Sequence, residues 1–241
     1  MKQDTPHSLS KSILLHLLPG LLAGICYFSL APIVRANGFP SIMAIILSGV
    51  LVLIPFELGF LIYRQKATGK KLFGDVILYW KKIPFRQYFL FVPLVILLSG
   101  LLMKALGFTS GILMDLFRWI PADRLPDMGI GGTWNRSNLA VTYALFLVII
   151  VFALPVLEEF YFRGFLLPRM PARLRGFAPV LHSLLFALYH TWTPWMVVTR
   201  TIAVLPLIYI VRRKQNLLIG IIAHCLLNSI DFIAGLVFLL G

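Results

Sequence analysis

Residues 145–163 read LFLVIIVFALPVLEEFYFR. An unbroken apolar run from Leu145 to Leu157 ends on two adjacent acids, Glu158 and Glu159, and Arg163 follows four residues after the second. Taken with its flanks, Leu139 to Leu167, the run is long enough to cross a bilayer as a helix. Ionised side chains near a bilayer centre cost at least ~2.5–3.5 kcal/mol each on insertion scales, so they persist there mainly when paired or functional. This one stretch therefore sets both the fold class and the first candidate site.

The rest of the chain agrees with a membrane reading. Hydrophobic residues make up 59% of the 241, charged residues 13%, and the mean hydropathy is +0.90. A soluble domain carries about 25% charged residues. The apolar runs are continuous rather than alternating in short segments, which excludes a transmembrane β-barrel. The fold expected is all-α, a polytopic transmembrane helical bundle of about seven to eight helices.

Seven spans are expected: Ile13–Val34, Ser41–Tyr63, Tyr88–Leu106, Leu139–Leu167, Pro179–Thr191, Trp195–Val211 and Leu217–Leu240. Pro179–Thr191 is short for a full crossing. Thr109–Ile120 is amphipathic and too short to cross, so it is expected to lie along the interface. The N-terminal segment before Ile13 is short and polar, and no small-residue cleavage site follows the first apolar run; it reads as a retained helix. Residues 1–138 supply membrane helices with a basic loop and a near-neutral loop. Residues 139–241 hold the chemistry-bearing core, the two parts reading as one structural domain.

The net charge of +13 suggests nucleic acid until its distribution is seen. Lys and Arg cluster in short connections: Arg64, Lys66, Lys70, Lys71, Lys81, Lys82 and Arg86 in one, Arg169, Arg173 and Arg175 in another, and Arg212, Arg213 and Lys214 in a third. With the seven spans above, all three fall on one side, the cytoplasmic one by the positive-inside rule, and the N-terminus joins them. No separate basic domain remains to hold a nucleic acid. A bacterial plasma membrane is the expected location. Cys26 and Cys225 both lie in apolar stretches and imply no disulfide framework and no cysteine metal site. Tyr63, Tyr79, Trp80, Trp119, Trp134, Trp192 and Trp195 near span ends read as interfacial anchors. No internal repeat is visible.

Helical spacing sorts the polar residues. Glu159 and Arg163 stand at i and i+4 and can pair, whereas Glu158 is rotated by ~100° and left free for chemistry. Downstream, Phe186 and His190 share a face, as do His224 and Asn228, with Asp231 one turn further. Each cluster has a plainer reading: charges at the interface, a packed histidine, a hydrogen bond between helices. At ~1.5 Å rise per residue, however, Glu158, His190 and His224 all reach a similar depth. That coincidence points to one hydrolytic site, expected to open to the cytosol. Glu57 reads as an interfacial or locally paired carboxylate, and His182 as interfacial.

Glu158-Glu159-x-x-x-Arg163, Phe186-x-x-x-His190 and His224-x-x-x-Asn228, in this order, resemble the three motifs of the CAAX-protease and bacteriocin-processing (CPBP, or Abi) family, which contains the type 2 CAAX prenyl endopeptidases. The resemblance covers about Leu139 to Gly241. It implies an intramembrane endopeptidase in which Glu158 with His190 activates water, His224 and Asn228 stabilise the oxyanion, and Glu159, Arg163 and Phe186 support them. Asp231 lies outside the family motifs and is given only a supporting place. No cofactor is expected; if a divalent metal such as zinc takes part, Glu158, His190 and His224 would be its ligands. The substrate would be a peptide or membrane-protein segment, prenylated or not, met in the lipid bilayer. Two other readings compete: a non-enzymatic membrane scaffold or immunity protein keeping the same polar cluster, and a small-solute transporter using Glu57, Glu158, Glu159 and Asp231.

Overall fold

The computed structural model describes residues 6–131 and 134–240. Lys2, part of the polar N-terminal segment discussed above, lies outside the described residues. Among these the secondary structure is helical, with two isolated bridges, Phe73 to Ile77 and Trp80 to Asn216, and no strand. The protein is an all-α polytopic bundle.

Among the described residues, and besides short 3-10 turns at Ala122–Arg124 and Ala172–Phe177, eight longer helical segments build it. They are α1 (Leu9–Ala36), α2 (Ile42–Thr68), α3 (Arg86–Phe117), α4 (Arg136–Arg169), α5 (Ala178–Tyr189), α6 (Pro194–Ala203), α7 (Leu205–Lys214) and α8 (Leu217–Leu240). Five are long and apolar enough to cross a membrane, and α6 with α7, bent by 44°, makes a sixth span if taken together. Pro206 accounts for that bend, because it cannot donate to the preceding turn. With 12 residues, about 18 Å at helical rise, α5 falls short of a crossing by itself. The segment expected to lie along the interface does not form a separate element. Nothing between Leu106 and Thr109 breaks the helix, and α3 runs on through Met114.

Proline also shapes the straight helices. Wide i→i+5 turns occupy Gly49–Leu53, Leu147–Ala153 and Glu159–Leu166, and each is followed two residues later by a proline: Pro55, Pro155 and Pro168. A proline supplies no N–H to the carbonyl behind it, and widening the turn is one way to relieve the clash of its ring. Such turns recur at functional sites. Here the second and third bracket Glu158.

One end of the bundle gathers the basic connections. The His7 N–H meets the Arg169 carbonyl at 2.8 Å, Leu78 N–H the Gly164 carbonyl at 2.8 Å, and Leu217 N–H the Tyr79 carbonyl at 2.9 Å. Arg169 donates to the carbonyls of Asp75 and Val76, both at 3.0 Å. The segment between α2 and α3 is thus packed over that end, a covering held by backbone bonds. Apolar side chains from Leu15 through Ala223 form the main core, drawn from both halves of the chain.

α1 approaches α5 through Gly20 and Gly24. A Cβ at Gly20 would collide with the Tyr189 carbonyl, and one at Gly24 with the Thr191 hydroxyl. Small residues at i and i+4 allow this close crossing in a membrane, and the Thr191 hydroxyl seals it by donating to the Gly20 carbonyl at 2.7 Å. Deeper along the same interface His16 Nε2 and His182 Nδ1 stand 2.9 Å apart, both fully buried. His182 is therefore a core residue, not an interfacial one.

Candidate active site

The third wide turn places Glu158 and Glu159 in the bundle interior, with 6% and 0% exposure. Arg163 Nη1 lies 3.4 Å from Glu159 Oε1, the pair that the i, i+4 spacing allows. Its guanidinium carbon also sits 3.9 Å over the ring of Phe186, so an aromatic face shares the solvation of the buried cation. Glu159 does more than balance Arg163: its Oε1 meets His224 Nδ1 at 3.1 Å. A carboxylate oxygen can only accept there, so Nδ1 carries the hydrogen and the other nitrogen of His224 is the one turned to chemistry. That nitrogen, Nε2, faces Glu158 Oε2 across 3.9 Å.

His190 follows the last residue of α5, with ψ at 62°. Its Nδ1 is 2.9 Å from the Phe186 carbonyl, an acceptor, which again assigns the hydrogen to Nδ1. The ring is held among Phe186, Tyr189 and Trp192 at centroid distances of 4.9, 5.0 and 5.1 Å. Asn228 Nδ2 donates to the Ile150 carbonyl at 2.9 Å. That carbonyl lies five residues before Pro155, where the widened turn would need an N–H that proline lacks. The Asn228 side chain fills the vacancy with one amide hydrogen and keeps a second.

Glu158, Arg163, Phe186, His190, His224 and Asn228 line one cavity of about 590 Å³. Asp231 lies on its exposed rim, one turn beyond Asn228. The lining residues that are themselves exposed, Met103, Lys104, Ile230 and Asp231, belong to α3 and α8. They lie well along both helices from the basic end, which the segment between α2 and α3 covers. The exposed part of the cavity lining thus stands on α3 and α8, away from the basic end. Among the described residues, no three His, Cys, Asp or Glu side chains converge as a metal-ligand set.

Residues 140–230 match the family model for Rce1-like proteins, described as type II CAAX prenyl endopeptidase Rce1-like. The match bears out the resemblance carried by the three motifs. The Rce1-like segment contains every motif residue from Glu158 to Asn228 and stops one residue short of Asp231. It supports a CAAX-type protease embedded in a membrane and acting on a peptide or protein substrate. No curated protein and no solved structure matched the chain.

Two contacts of the site escape a sequence reading. The Glu159 to His224 bond joins residues 65 apart, and no spacing rule connects separate helices. Glu57, taken for an interfacial carboxylate, is fully buried in α2, with Oε1 2.9 Å from the Tyr189 hydroxyl oxygen. Its separation from Tyr189 by 132 residues and its isolation in an apolar run gave no hint of that partner.

Proposed function

We propose that the protein is an intramembrane endopeptidase that hydrolyses peptide bonds through a water activated by Glu158. The observation that carries this reading is the convergence of Glu158, His190, His224 and Asn228 on one cavity, with His224 held in a defined orientation by Glu159.

In this mechanism the substrate backbone lies along the cavity with its scissile carbonyl directed at His224 and Asn228. Glu158 takes a proton from water as the water oxygen attacks the carbonyl carbon. Negative charge gathers on the carbonyl oxygen, where the remaining Asn228 amide hydrogen and a protonated imidazole nitrogen, preorganised and shielded from bulk water, stabilise it. His190, with Nδ1 committed to Phe186, offers Nε2 to the water. As the C–N bond breaks, Glu158 returns its proton to the leaving amine. No step in this scheme requires a metal, and chelation with washed-in divalent ions is the direct check on whether one contributes.

The basic end faces the cytosol in this account, with the N-terminus on the same side, and substrate reaches the cavity sideways from the bilayer between α3 and α8. A prenylated tail suits that route and the largely apolar lining, as does any membrane-inserted segment. The test compares newly formed peptide termini in membranes expressing the wild type or Glu158→Gln at matched levels. Termini unique to the wild type are expected. Identical sets, with a wild-type phenotype surviving in the variant, would return the protein to the scaffold reading.

A further inference from the structure

The Tyr189 hydroxyl stands between two buried carboxyl groups, 2.9 Å from Glu57 Oε1 and 3.3 Å from Glu158 Oε1. Glu57 comes from α2, outside the Rce1-like segment and outside every motif. Tyr189 and Glu57 are both fully buried, so bulk water does not compete for these contacts. A phenol carries one hydrogen. Two hydrogen bonds along the three oxygens need two, and the second must come from a carboxyl group. The other oxygen of Glu57, Oε2, is buried without a hydrogen-bond partner among the described residues. An ionised carboxylate there would leave charge on an unsolvated atom, whereas Glu158 lines the cavity and has its Oε2 3.9 Å from His224 Nε2.

We infer that Glu57 is a positioning residue of the hydrolytic centre: it holds a proton, donates it to the Tyr189 oxygen, and thereby fixes the Tyr189 hydroxyl hydrogen on Glu158. Glu57 touches neither substrate nor water. It keeps its proton throughout the cycle, while Glu158 alone exchanges one with the attacking water and the leaving amine. The tyrosine bond holds Glu158 Oε1, so that Oε2 is the oxygen presented to the cavity. The first half of the chain then contributes a side chain to catalysis, not only lipid-facing bulk. This inference rests on the proteolytic reading above.

The test uses the full-length protein in proteoliposomes and a synthetic peptide spanning the fastest cleavage found in the termini comparison. Glu57→Gln retains an N–H donor toward Tyr189, so its kcat is expected within about threefold of wild type. Glu57→Met and Tyr189→Phe each lose the chain of hydrogen bonds; each should lower kcat by about tenfold or more with KM held, given how steeply rate depends on placement of the reacting groups. Because the two act through one contact, Glu57→Met/Tyr189→Phe should be no slower than the slower single variant. A wild-type kcat in Glu57→Met, a Glu57→Gln variant as slow as Glu57→Met, or losses that multiply in the double variant would each overturn the inference. Should Glu57→Met fail to elute as folded protein, Tyr189→Phe decides: undiminished kcat refutes, and reduced kcat with unchanged KM supports. A wild type that yields no Glu158-dependent termini would instead bring down the proteolytic reading itself.

Discussion

Arg163 and Glu159 separate stability from activity at the scale of single residues. Removing one partner of a buried ion pair leaves an uncompensated charge and costs about 3–5 kcal/mol, whereas replacing both with apolar groups is often neutral. Arg163→Met should therefore lower the unfolding midpoint in detergent markedly, and Arg163→Met/Glu159→Met should recover most of it. The double variant should nonetheless stay inactive, because His224 loses the carboxylate that orients it. Peptide cleavage that recovers along with stability would contradict this division of labour. Sequence spacing made the Glu159–Arg163 pair legible, since i and i+4 share a helix face. It could not reveal that Glu159 serves a third residue on α8, or that Tyr189 joins Glu57 to Glu158, because such contacts depend on how helices far apart in the chain are rotated against one another.

Among the elements, α4 and the α1–α5 crossing matter most. Pro155 opens the wide turn whose carbonyl, at Ile150, Asn228 satisfies. Pro155→Ala restores an N–H and lets the turn tighten, which would rotate Glu158 relative to α8. The expected outcome is an intact, equally or more stable protein with cleavage reduced by at least about tenfold, given how steeply rate depends on placement of the reacting groups; unchanged cleavage would show that the turn does not set the site. At the crossing, Gly20→Ala places a methyl group against the Tyr189 carbonyl. Overpacking of this kind costs on the order of 1–3 kcal/mol, and the segment it displaces leads directly into His190. Thermal stability and cleavage should fall together, whereas Gly59→Ala, which meets no atom within 4 Å, should alter neither. The long apolar runs announced most of these helices. The continuation of α3 past Leu106 was not legible because an amphipathic stretch looks the same whether it extends a span or lies beside it. The shortness of α5 was visible in its sequence, but not that it ends at His190 so as to turn the imidazole toward the cavity.

For the whole molecule, the proposed orientation puts the basic end in the cytosol. The basic connections assemble at one end through backbone bonds around Gly164, Arg169 and Gln215, as their distribution in the sequence leads one to expect; the cavity that gathers the motif residues had no counterpart in sequence, since a cavity is a property of packing. In a background lacking Cys26 and Cys225, a cysteine at Lys82 should react with a membrane-impermeant thiol reagent only from the cytosolic face, and one at Ser137 only from the opposite face. Reversed labelling would invert the topology. The central claim, that Glu158 directs water onto a peptide bond, is tested most directly by incubating membranes of wild type and Glu158→Gln in water enriched in oxygen-18 and sequencing the new C-termini by mass spectrometry. The account predicts wild-type-specific C-termini carrying the heavy oxygen in their carboxylates, absent from Glu158→Gln. Labelled termini at equal abundance in both samples would contradict it.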